Sequence, residues 1–331
     1  MSTKFGEESV LKQCLEAIME QRTPQVEVYL IDDRSTDNSI KYTQEKFPDV
    51  KIFAYPINYG FARGYNKAIK SLQEEFLVFL HEDFVIPENW MKALIKELKS
   101  MPEKTIYGYT IVNNNWIQYN GANYSKLGYE SIRGFGKPFR RKFSTKDRKN
   151  PFYIPTEILT VRRRDYVRIG GFDTRFFRLW EDVDFSWRAK LYGYELKLLD
   201  LFIYHRHPVS AFKLEEKMAF YLERNSLMTL FKNLETKNLI RQVIPSILYR
   251  AFFTLFLWIS GERWRAFHRF KAYFDLIVHI RDYYQKRILV QSKRKRSDSF
   301  VLKNALSRTE GLRNHLKLRH TFSDVFEDSS L

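Results

Sequence analysis

The first hundred residues alternate between short apolar runs and longer segments of helical periodicity, and this alternation restricts the fold more than any other feature. A helical pattern at 10–21 is followed by apolar runs at 26–31, 51–55 and 76–80, each leading into another helical segment. Strands that alternate with helices in this way imply a parallel sheet covered by helices on both faces. We therefore predict an α/β fold.

Acidic side chains follow the first and third predicted strands. Asp32 and Asp33 come directly after the first strand, and His81, Glu82 and Asp83 after the third. Ligands of such sheets bind outside the carboxyl ends of the strands, so both clusters are expected at one crevice. The alternative is that these acids only cap the following helices. We favour binding, because hydroxyl side chains near the first cluster can serve as caps and the second cluster is badly placed to cap.

A third acidic group lies at 181–184 (EDVD), between Trp180 and Phe185. Carboxylates are rarely buried unless they are paired, so acids among aromatic side chains point to binding or reaction. The alternative is an ordinary helix start, where acids complement the helix dipole. The two acidic clusters earlier in the chain favour the functional interpretation.

The second half of the predicted domain is less regular. We expect loops or a small hairpin at 113–150 and a loop at 205–208 (HRHP). The remaining predicted elements are strands at 105–112, 157–162 and 195–199 and helices at 165–169, 181–192 and 213–234.

Four motifs resemble those of the family 2 glycosyltransferases, which are inverting enzymes with the GT-A fold. They are LIDDRSTD at 30–37, NYGFARGYN at 58–66, FLHED at 79–83, and GGFD with EDVDF and a following arginine at 170–188. Each motif alone is weak, but four in this order and spacing are specific, and the resemblance covers about residues 10–235. Within the family the chain resembles bacterial enzymes of surface polysaccharide assembly, including the rhamnosyltransferase-like branch.

The resemblance implies a Rossmann-like, mostly parallel sheet flanked by helices, and a donor that is a nucleotide sugar. Asp33 would bind the nucleobase or ribose, and Asp83 would hold the Mg²⁺ or Mn²⁺ that bridges the diphosphate, with His205 or His207 nearby. Matching positions for donor binding are Asp32, Asp33, Asn58, Gly60, Arg63, Asn66, His81, Glu82 and Arg188.

The resemblance also implies a catalytic base. Asp182 would deprotonate the acceptor hydroxyl, because inversion is a single displacement that needs one base and no covalent nucleophile. Glu181 and Trp180 would line the acceptor side. Arg63 and Arg188 could contact phosphate or hold a carboxylate in place.

The sequence departs from the family pattern at two places. The family has a strand before the first helix, and only about ten residues precede that helix here, so we expect this strand to be absent, truncated or replaced. The metal motif reads His81-Glu82-Asp83. Histidine suits Mn²⁺ better than Mg²⁺, so Asp83 is expected to act alone as a metal ligand of this motif.

The net charge of +17 suggests an anionic partner, and its basic residues concentrate at 133–149 and 262–320. No nucleic-acid-binding motif occurs, so we predict no nucleic-acid partner. Cys14 is the only cysteine, which excludes an intrachain disulfide and a cysteine-based zinc site and fits a reducing compartment. We also expect no signal peptide.

The C-terminal third predicts a membrane-associated extension. The apolar run at 243–259 contains Arg250 and is short for a membrane span, and the basic, aromatic segment after it suits the interface of an anionic membrane. The alternative is a helical pair that packs on the catalytic domain or on the second subunit of a homodimer. We expect a solvated basic tail at 286–296 and partial disorder at 297–331.

The predicted organisation is therefore a GT-A domain at 1–235, a helical basic extension at 236–296 and a tail at 297–331. The leading hypothesis is transfer of a sugar from a UDP- or dTDP-linked donor to a lipid-linked or oligosaccharide acceptor. The protein would be cytoplasmic and peripherally associated with the inner face of the cell membrane. The alternative is a catalytically inactive, sugar-nucleotide-binding or scaffolding subunit of a glycan assembly complex.

Overall fold

The structure, a computed structural model, describes residues 8–126, 128–140, 150–206, 216–307 and 309–310. The helices are α1 (Glu8–Met19), α2 (Ser39–Lys46), α3 (Phe61–Ile69), α4 (Trp90–Lys99), α5 (Arg163–Ile169), α6 (Glu181–Leu191), α7 (Glu216–Asn233), α8 (Thr236–Ile259), α9 (Arg263–Val278), α10 (Ile280–Ser292) and α11 (Asp298–Val301). The strands are β1 (Tyr29–Asp32), β2 (Lys51–Ala54), β3 (Phe76–Leu80), β4 (Phe84–Val85), β5 (Thr105–Asn113), β6 (Trp116–Tyr119), β7 (Ala122–Tyr124), β8 (Glu130–Ile132), β9 (Ile158–Arg162) and β10 (Glu195–His205).

The predicted alternation of strands and helices is present from α1 to α4. β1 and β2 pair in parallel, with Asp32 opposite Ala54 at their carboxyl ends. The acids of the first motif therefore emerge where a parallel pair ends, as predicted.

The main sheet is mixed rather than mostly parallel. Its order is β3-β9-β5-β10-β4, with β6 on β5, and only the β10–β5 pair is parallel among the pairings described in it. β9 lies antiparallel to β3, with Leu80 opposite Ile158, and continues directly into α5. The α/β class is confirmed, and the prediction of a mostly parallel sheet is corrected by these antiparallel neighbours.

α6 is the central helix beneath the sheet. Its side chains at Val183, Phe185, Trp187 and Leu191 are all buried. Trp187 contacts the ring of Phe152 with centroids 5.3 Å apart. Because this helix is enclosed on nearly all sides, the acids at its start are held in fixed positions relative to the sheet.

An apolar cavity of about 720 Å³ separates β1 from β3. Cys14, Ile31, Leu77 and Phe79 are among its lining residues. In the described part of the chain β1 pairs only with β2 and β3 only with β9, so the two strand edges that face the cavity have no strand between them. Val78 of β3 is 40% exposed, which is high for an apolar residue in the middle of a strand.

The basic segment at 286–296 packs against the protein, so the prediction of a solvated tail is wrong. Arg287 donates to the carbonyl of Leu234 at 2.6 Å, Arg294 binds Asp298 at 3.0 Å, and Arg296 reaches a carboxylate of the sheet. The last carbonyls of a helix lack partners within the helix, and cations bind there favourably. Residues 311–331 of the predicted disordered tail lie outside the described residues, whereas residues before 308 include α11.

Candidate active site

Asp33 joins the first two motifs. Its Oδ1 accepts the backbone N–H of Tyr59 at 2.7 Å and its Oδ2 accepts that of Gly60 at 2.8 Å. Gly60 has φ +76, and a Cβ there would lie 2.5 Å from the ring of Phe177. The Asn58 side chain also accepts the Gly60 N–H, at 3.0 Å. These contacts fix a turn at the carboxyl end of β1, and only glycine fits its centre.

Asp32 and Arg63 lie at the same end of β1 but differ in exposure. Asp32 is buried, and its carboxylate accepts the N–H of Ser35 at 3.1 Å. Arg63 is exposed on the first turn of α3. The contacts of Asp32, Asp33, Asn58, Gly60 and Arg63 with a nucleotide remain predictions.

The side chain of Asn66 binds other parts of the protein and is not available to the sugar donor. Its Nδ2 donates to the carbonyl of Phe172 at 2.7 Å, and its Oδ1 accepts from the N–H of Phe172 at 3.1 Å and from the hydroxyl of Tyr166 at 2.5 Å. The predicted contact of Asn66 with the donor is therefore corrected, because its amide is occupied by the backbone of the GGFD segment.

Arg188 is the second predicted ligand of the sugar donor that binds the protein instead. It is buried, and its guanidinium donates to Asp184 at 2.8 Å and to the carbonyls of Ile169 and Gly171 at 2.9 and 2.8 Å. Of its two predicted roles, the structure shows the holding of a carboxylate. All three guanidinium nitrogens are bound within the protein, so a phosphate contact would require breaking this network.

Asp83 and His205 meet at the carboxyl ends of β3 and β10. Oδ2 of Asp83 lies 3.1 Å from Nε2 of His205, and Nδ1 of His205 lies 2.7 Å from Oε1 of Gln118. The His205 ring stacks on Phe84 with centroids 4.7 Å apart. Burial acts to lower the pKa of His205, but the hydrogen bond and the charge of Asp83 raise it above its usual value. His207 lies outside the described residues.

This pair fits a divalent ion that is shared with a ligand. No group of three or more metal-binding side chains is gathered in the described residues, so the protein does not form a complete cage there. One carboxylate and one imidazole match a site that Mg²⁺ or Mn²⁺ completes with phosphate oxygens, and the imidazole favours Mn²⁺. Nε2 of His81 is buried close by without a hydrogen-bond partner among the described residues, and Glu82 is half-buried.

The three acids at the start of α6 have different surroundings. Asp184 is completely buried and binds Arg188 and Lys232. Glu181 is buried and accepts from the hydroxyl of Thr156 at 3.2 Å. Asp182 is the only one of the three that remains partly exposed, and its Oδ1 accepts the N–H of the next residue of its own helix at 2.7 Å.

Trp180 lies in an unusual backbone turn, and its side chain is buried. It precedes α6 with φ 75, after Leu179 with φ 67, and it is only 7% exposed. The side chain of Asn225 holds this turn by donating to the carbonyls of Arg178 and Leu179 at 2.9 and 2.7 Å. The ring of Trp180 is part of the core, so it offers little surface to an acceptor.

Two acids that the sequence did not single out belong to this site. The charges of Glu130 and Glu157, with that of Glu181, add to burial in raising the pKa of Asp182 well above its usual range. Burial and the charge of Glu157 raise the pKa of Glu181 to about 7. The carbonyl of Glu157 accepts the N–H of His81 at 3.0 Å, which connects the base side to the metal side.

Both acids missed by the sequence lie in segments without a motif. Glu157 precedes β9, and its position depends on the antiparallel pairing of β9 with β3. Glu130 lies on β8 of a short hairpin. The sequence shows only that these two residues are acidic, and no spacing rule distinguishes them from the other acids of the chain.

Asp173 of the GGFD motif anchors the site to the C-terminal helices. Lys232 lies 2.5 Å from its Oδ2 and 3.0 Å from Oδ1 of Asp184, and Lys286 lies 2.7 Å from Oδ1 of Asp173. Burial acts to raise the pKa of Asp173, but the two lysines hold it far below its usual range. This network fixes the segment before α6 to α7 and α10.

Solved structures with a similar fold support the GT-A architecture. A structure of GalNAc-T7 with UDP, GalNAc and Mn²⁺ superposes with a TM-score of 0.53 at 16% identity, covering 68% of this chain and 45% of that one. A structure of Staphylococcus aureus TarS 1–349 with UDP-GlcNAc gives a TM-score of 0.50 at 16% identity, covering 72% of this chain and 68% of that one. At this identity the likeness establishes the fold alone.

Sequence relatives carry the family assignment. The model of "Glycosyl transferase family 2" matches residues 3–167. A poly-beta-1,6-N-acetyl-D-glucosamine synthase of Staphylococcus epidermidis is 25% identical over 199 residues, which cover 58% of this chain and 45% of the relative. An N-acetylglucosaminyl-diphospho-decaprenol L-rhamnosyltransferase of Mycobacterium tuberculosis is 25% identical over 194 residues, which cover 51% of this chain and 62% of the relative. The chain thus spans about half the length of these relatives. The chain belongs to glycosyltransferase family 2.

Proposed function

We propose that this protein is an inverting glycosyltransferase that moves a sugar from a nucleoside-diphosphate sugar to an acceptor hydroxyl, with Asp182 as the general base. The observation that carries the proposal is the difference among the three acids of α6. Glu181 and Asp184 are buried against protein partners, whereas Asp182 is partly exposed at the helix start. An acceptor hydroxyl can therefore reach Asp182 and not the other two.

The raised pKa of Asp182 suits this role. A carboxylate surrounded by Glu130, Glu157 and Glu181 holds a proton more tightly than an exposed one, so it accepts a proton from a hydroxyl more readily. The base must be ionised to act, and transfer should therefore increase with pH across the range in which this cluster loses its protons.

Asp83 and His205 form the donor side of the proposal. They would hold Mn²⁺ or Mg²⁺ jointly with the donor diphosphate, and such an ion neutralises charge on a diphosphate leaving group. Gln118 and the ring of Phe84 orient the imidazole from the other side. Asp33 and the Gly60 turn, at the carboxyl end of β1, would receive the nucleoside.

The proposed reaction belongs to bacterial surface glycan synthesis. Relatives named for N-acetylglucosamine polymer synthesis and for rhamnose transfer to a diphospho-decaprenol support this context. We propose a UDP- or dTDP-linked donor and a lipid-linked or oligosaccharide acceptor, used at the cytoplasmic face of the cell membrane.

A donor screen tests the proposal. Purified protein with Mn²⁺ or Mg²⁺ would be incubated with UDP- and dTDP-sugars and with a lipid-linked or oligosaccharide acceptor, and release of the nucleoside diphosphate would be measured. Asp182→Asn should lower release by about 10²–10⁴-fold while UDP binding measured by calorimetry survives. The surface variant Asp49→Asn is the matched control. Wild-type turnover in Asp182→Asn would refute the assignment of the base.

A subunit that binds sugar nucleotides without catalysis is the second candidate. The cavity between β1 and β3 favours it, because Asp32, Asp33 and Gly60 at the proposed nucleoside side also line that cavity, as does Glu82. Donor binding without nucleoside-diphosphate release from any donor would support this candidate. Failure to bind UDP or dTDP with Mn²⁺ would instead favour a scaffolding role.

A further inference from the structure

The polarity of α8 is inverted relative to a helix on a water-exposed surface. Its inward side carries Ser246, Arg250 and Thr254, spaced four residues apart and all buried. Its outward side is apolar, with exposed side chains at Ile240, Ile244, Ile247, Leu248, Phe252, Leu255, Phe256 and Ile259. Helices of soluble proteins place the apolar stripe towards the core and the polar residues towards water. The arrangement of α8 fits an apolar medium outside the protein.

The inward polar stripe is tied firmly to the protein. Arg250 has no exposed side-chain surface and binds Glu223 of α7 at 3.0 Å, and it donates to Ser246 at 3.0 Å. Arg269 of α9 binds the same Glu223 carboxylate at 2.9 Å. Thr254 accepts from Arg269 at 2.9 Å. These buried ion pairs hold the face of α8 in one orientation, because turning the helix would leave a buried charge without its partner.

α9 and α10 continue the same pattern. α9 turns Ala266 and Ala272 inwards and leaves large apolar side chains outside, and α10 buries Arg287. We call the exposed apolar side chains of the three helices the apolar face. On α9 and α10 its members are Trp264, Phe267, Phe270, Phe274, Ile277, Val278, Ile280, Tyr284, Ile288 and Leu289. Exposed apolar surface on this scale marks an interaction site.

The charges around the apolar face are positive. Exposed cations on or beside α9 and α10 include Arg263, Lys271, Arg281 and Lys293. Lys271 lies over the ring of Phe267, 4.5 Å from its centroid, and so belongs to the face itself.

The acids in the same part of the chain are few and are bound within the protein. Residues 236–295 contain three acidic residues, and each has a partner. Glu262 binds Arg265, Asp275 accepts from Tyr283 at 2.6 Å, and Asp282 binds Arg175 at 2.9 Å. The free charge at the rim of the apolar face is therefore cationic.

We propose that the apolar face docks into one leaflet of an anionic membrane, with α8 and α9 lying in the plane of the bilayer. Basic residues beside exposed aromatic and aliphatic side chains match the interface of such a membrane. The proposal deepens the membrane location stated above and does not depend on catalysis, so its test is separate from the donor screen.

The in-plane arrangement follows from Arg250. α8 has 24 residues and is long and apolar enough to cross a membrane by length and composition. Crossing the bilayer would separate Arg250 from Glu223 and place an unpaired cation in hydrocarbon. Lying flat keeps this pair intact and buries only the apolar face. Trp258 and Trp264, 44% and 37% exposed, lie near the turn between α8 and α9 as interfacial anchors.

Vesicle flotation of the full chain tests the proposal. We expect the protein to float with phosphatidylcholine vesicles that contain phosphatidylglycerol and to bind pure phosphatidylcholine much less. The triple variant Phe252→Gln/Leu255→Gln/Phe256→Gln should bind roughly tenfold or more weakly. These three side chains are exposed, so circular dichroism should be unchanged. The matched control is Ile57→Gln/Val167→Gln, which removes exposed apolar side chains elsewhere.

Two further measurements test the alternatives, which are a second copy of the chain on the apolar face and an α8 that spans the bilayer. Sedimentation velocity without vesicles would reveal a dimer, and a dimer that the triple variant dissociates, without vesicle binding, would assign the face to a second copy and overturn the proposal. Resistance of membrane-bound protein to alkaline carbonate would mean that α8 spans the bilayer and would overturn the in-plane arrangement. Equal flotation of wild type and the triple variant would overturn the proposed surface. Loss of the phosphatidylglycerol preference in Arg263→Gln/Lys271→Gln/Arg281→Gln would support it.

Discussion

Asp83 and His205 are 122 positions apart in the chain and share a hydrogen bond of 3.1 Å between Oδ2 and Nε2. The bond exists because β4, which directly follows Asp83, pairs antiparallel with the end of β10, with Phe84 opposite His205. The N–H of Arg206 also donates to the carbonyl of Asp83 at 2.8 Å. The proposed metal ligands are thus fixed relative to each other by backbone pairing as well as by their side chains.

Asp83→Asn should weaken metal-dependent nucleotide binding. The amide keeps the size of the carboxylate and can still pair with His205, but it lacks the charge that a hard divalent cation prefers. We expect the affinity for UDP in the presence of Mn²⁺ to fall by at least about 10–100-fold, measured by calorimetry. The surface variant Asp49→Asn should retain the wild-type affinity. Unchanged Mn²⁺ dependence in Asp83→Asn would exclude Asp83 as the metal ligand.

Glu181→Gln should change how stability depends on pH. Because burial raises the pKa of Glu181 from 4.5 to about 7, the folded state binds this proton more tightly than the unfolded state. The free energy of unfolding therefore falls as pH rises from about 4.5 to about 7, and the loss is complete above that range. One pKa unit corresponds to about 1.4 kcal/mol, so the wild type should lose up to about 3 kcal/mol that the variant keeps.

Chemical denaturation at pH 5 and pH 8 measures this difference. The free energy of unfolding of Glu181→Gln, relative to that of the wild type, should be higher at pH 8 than at pH 5. Glu88→Gln, a change at an exposed glutamate, should give the same small effect at both pH values. An equal effect of Glu181→Gln at both pH values would show that Glu181 does not titrate in this range.

Asn66→Ala separates a structural role from a donor contact. The variant removes three hydrogen bonds that hold Phe172 and Tyr166. Since it leaves partly buried backbone groups unpaired, we expect the free energy of unfolding to fall by about 2 kcal/mol. The donor KM of the folded variant should stay close to that of the wild type. Asn58→Ala, at an exposed position, removes only a hydrogen bond to the Gly60 N–H, which Asp33 also accepts, so stability should change much less than in Asn66→Ala. A large rise in KM without loss of stability in Asn66→Ala would restore the donor contact.

The sequence predicts the fold best where the pattern is local. The helices and strands from α1 to α4 follow the predicted alternation, and β1 pairs with β2 as expected. The positions of β9 and β10 beside β5 depend instead on pairings between distant segments, such as Ile106 with Val161. Periodicity within one segment carries no information about which distant segment becomes its neighbour.

The site shows the same division between local and distant information. Asp83 and His205 lie close together, as the resemblance to the family implies, but the predicted strand at 195–199 stops short of His205 and β10 extends to it. Asn66 and Arg188 lie in the same motifs and look equally suited to ligand binding, but their hydrogen bonds are to the protein. A motif does not separate residues that bind a ligand from residues that hold those in place. Burial decides between them, and burial depends on the whole fold.

A strand added before α1 should stabilise the protein. Among the described residues no strand lies between β1 and β3, and the apolar cavity of about 720 Å³ between them suits an extended segment. An N-terminal extension with a five-residue run of valine and isoleucine, the length of β3, would fill this cavity and pack on apolar side chains that line it, such as Leu77 and Phe79. We expect the free energy of unfolding to rise by at least about 2 kcal/mol. Hydrogen exchange at Leu30 and Val78 should slow, because their amides lie on the strands that border the cavity.

The same extension with two prolines in the run should have neither effect, since proline cannot donate to a ladder. Equal stability of the two extended proteins would mean that the cavity does not accept a strand.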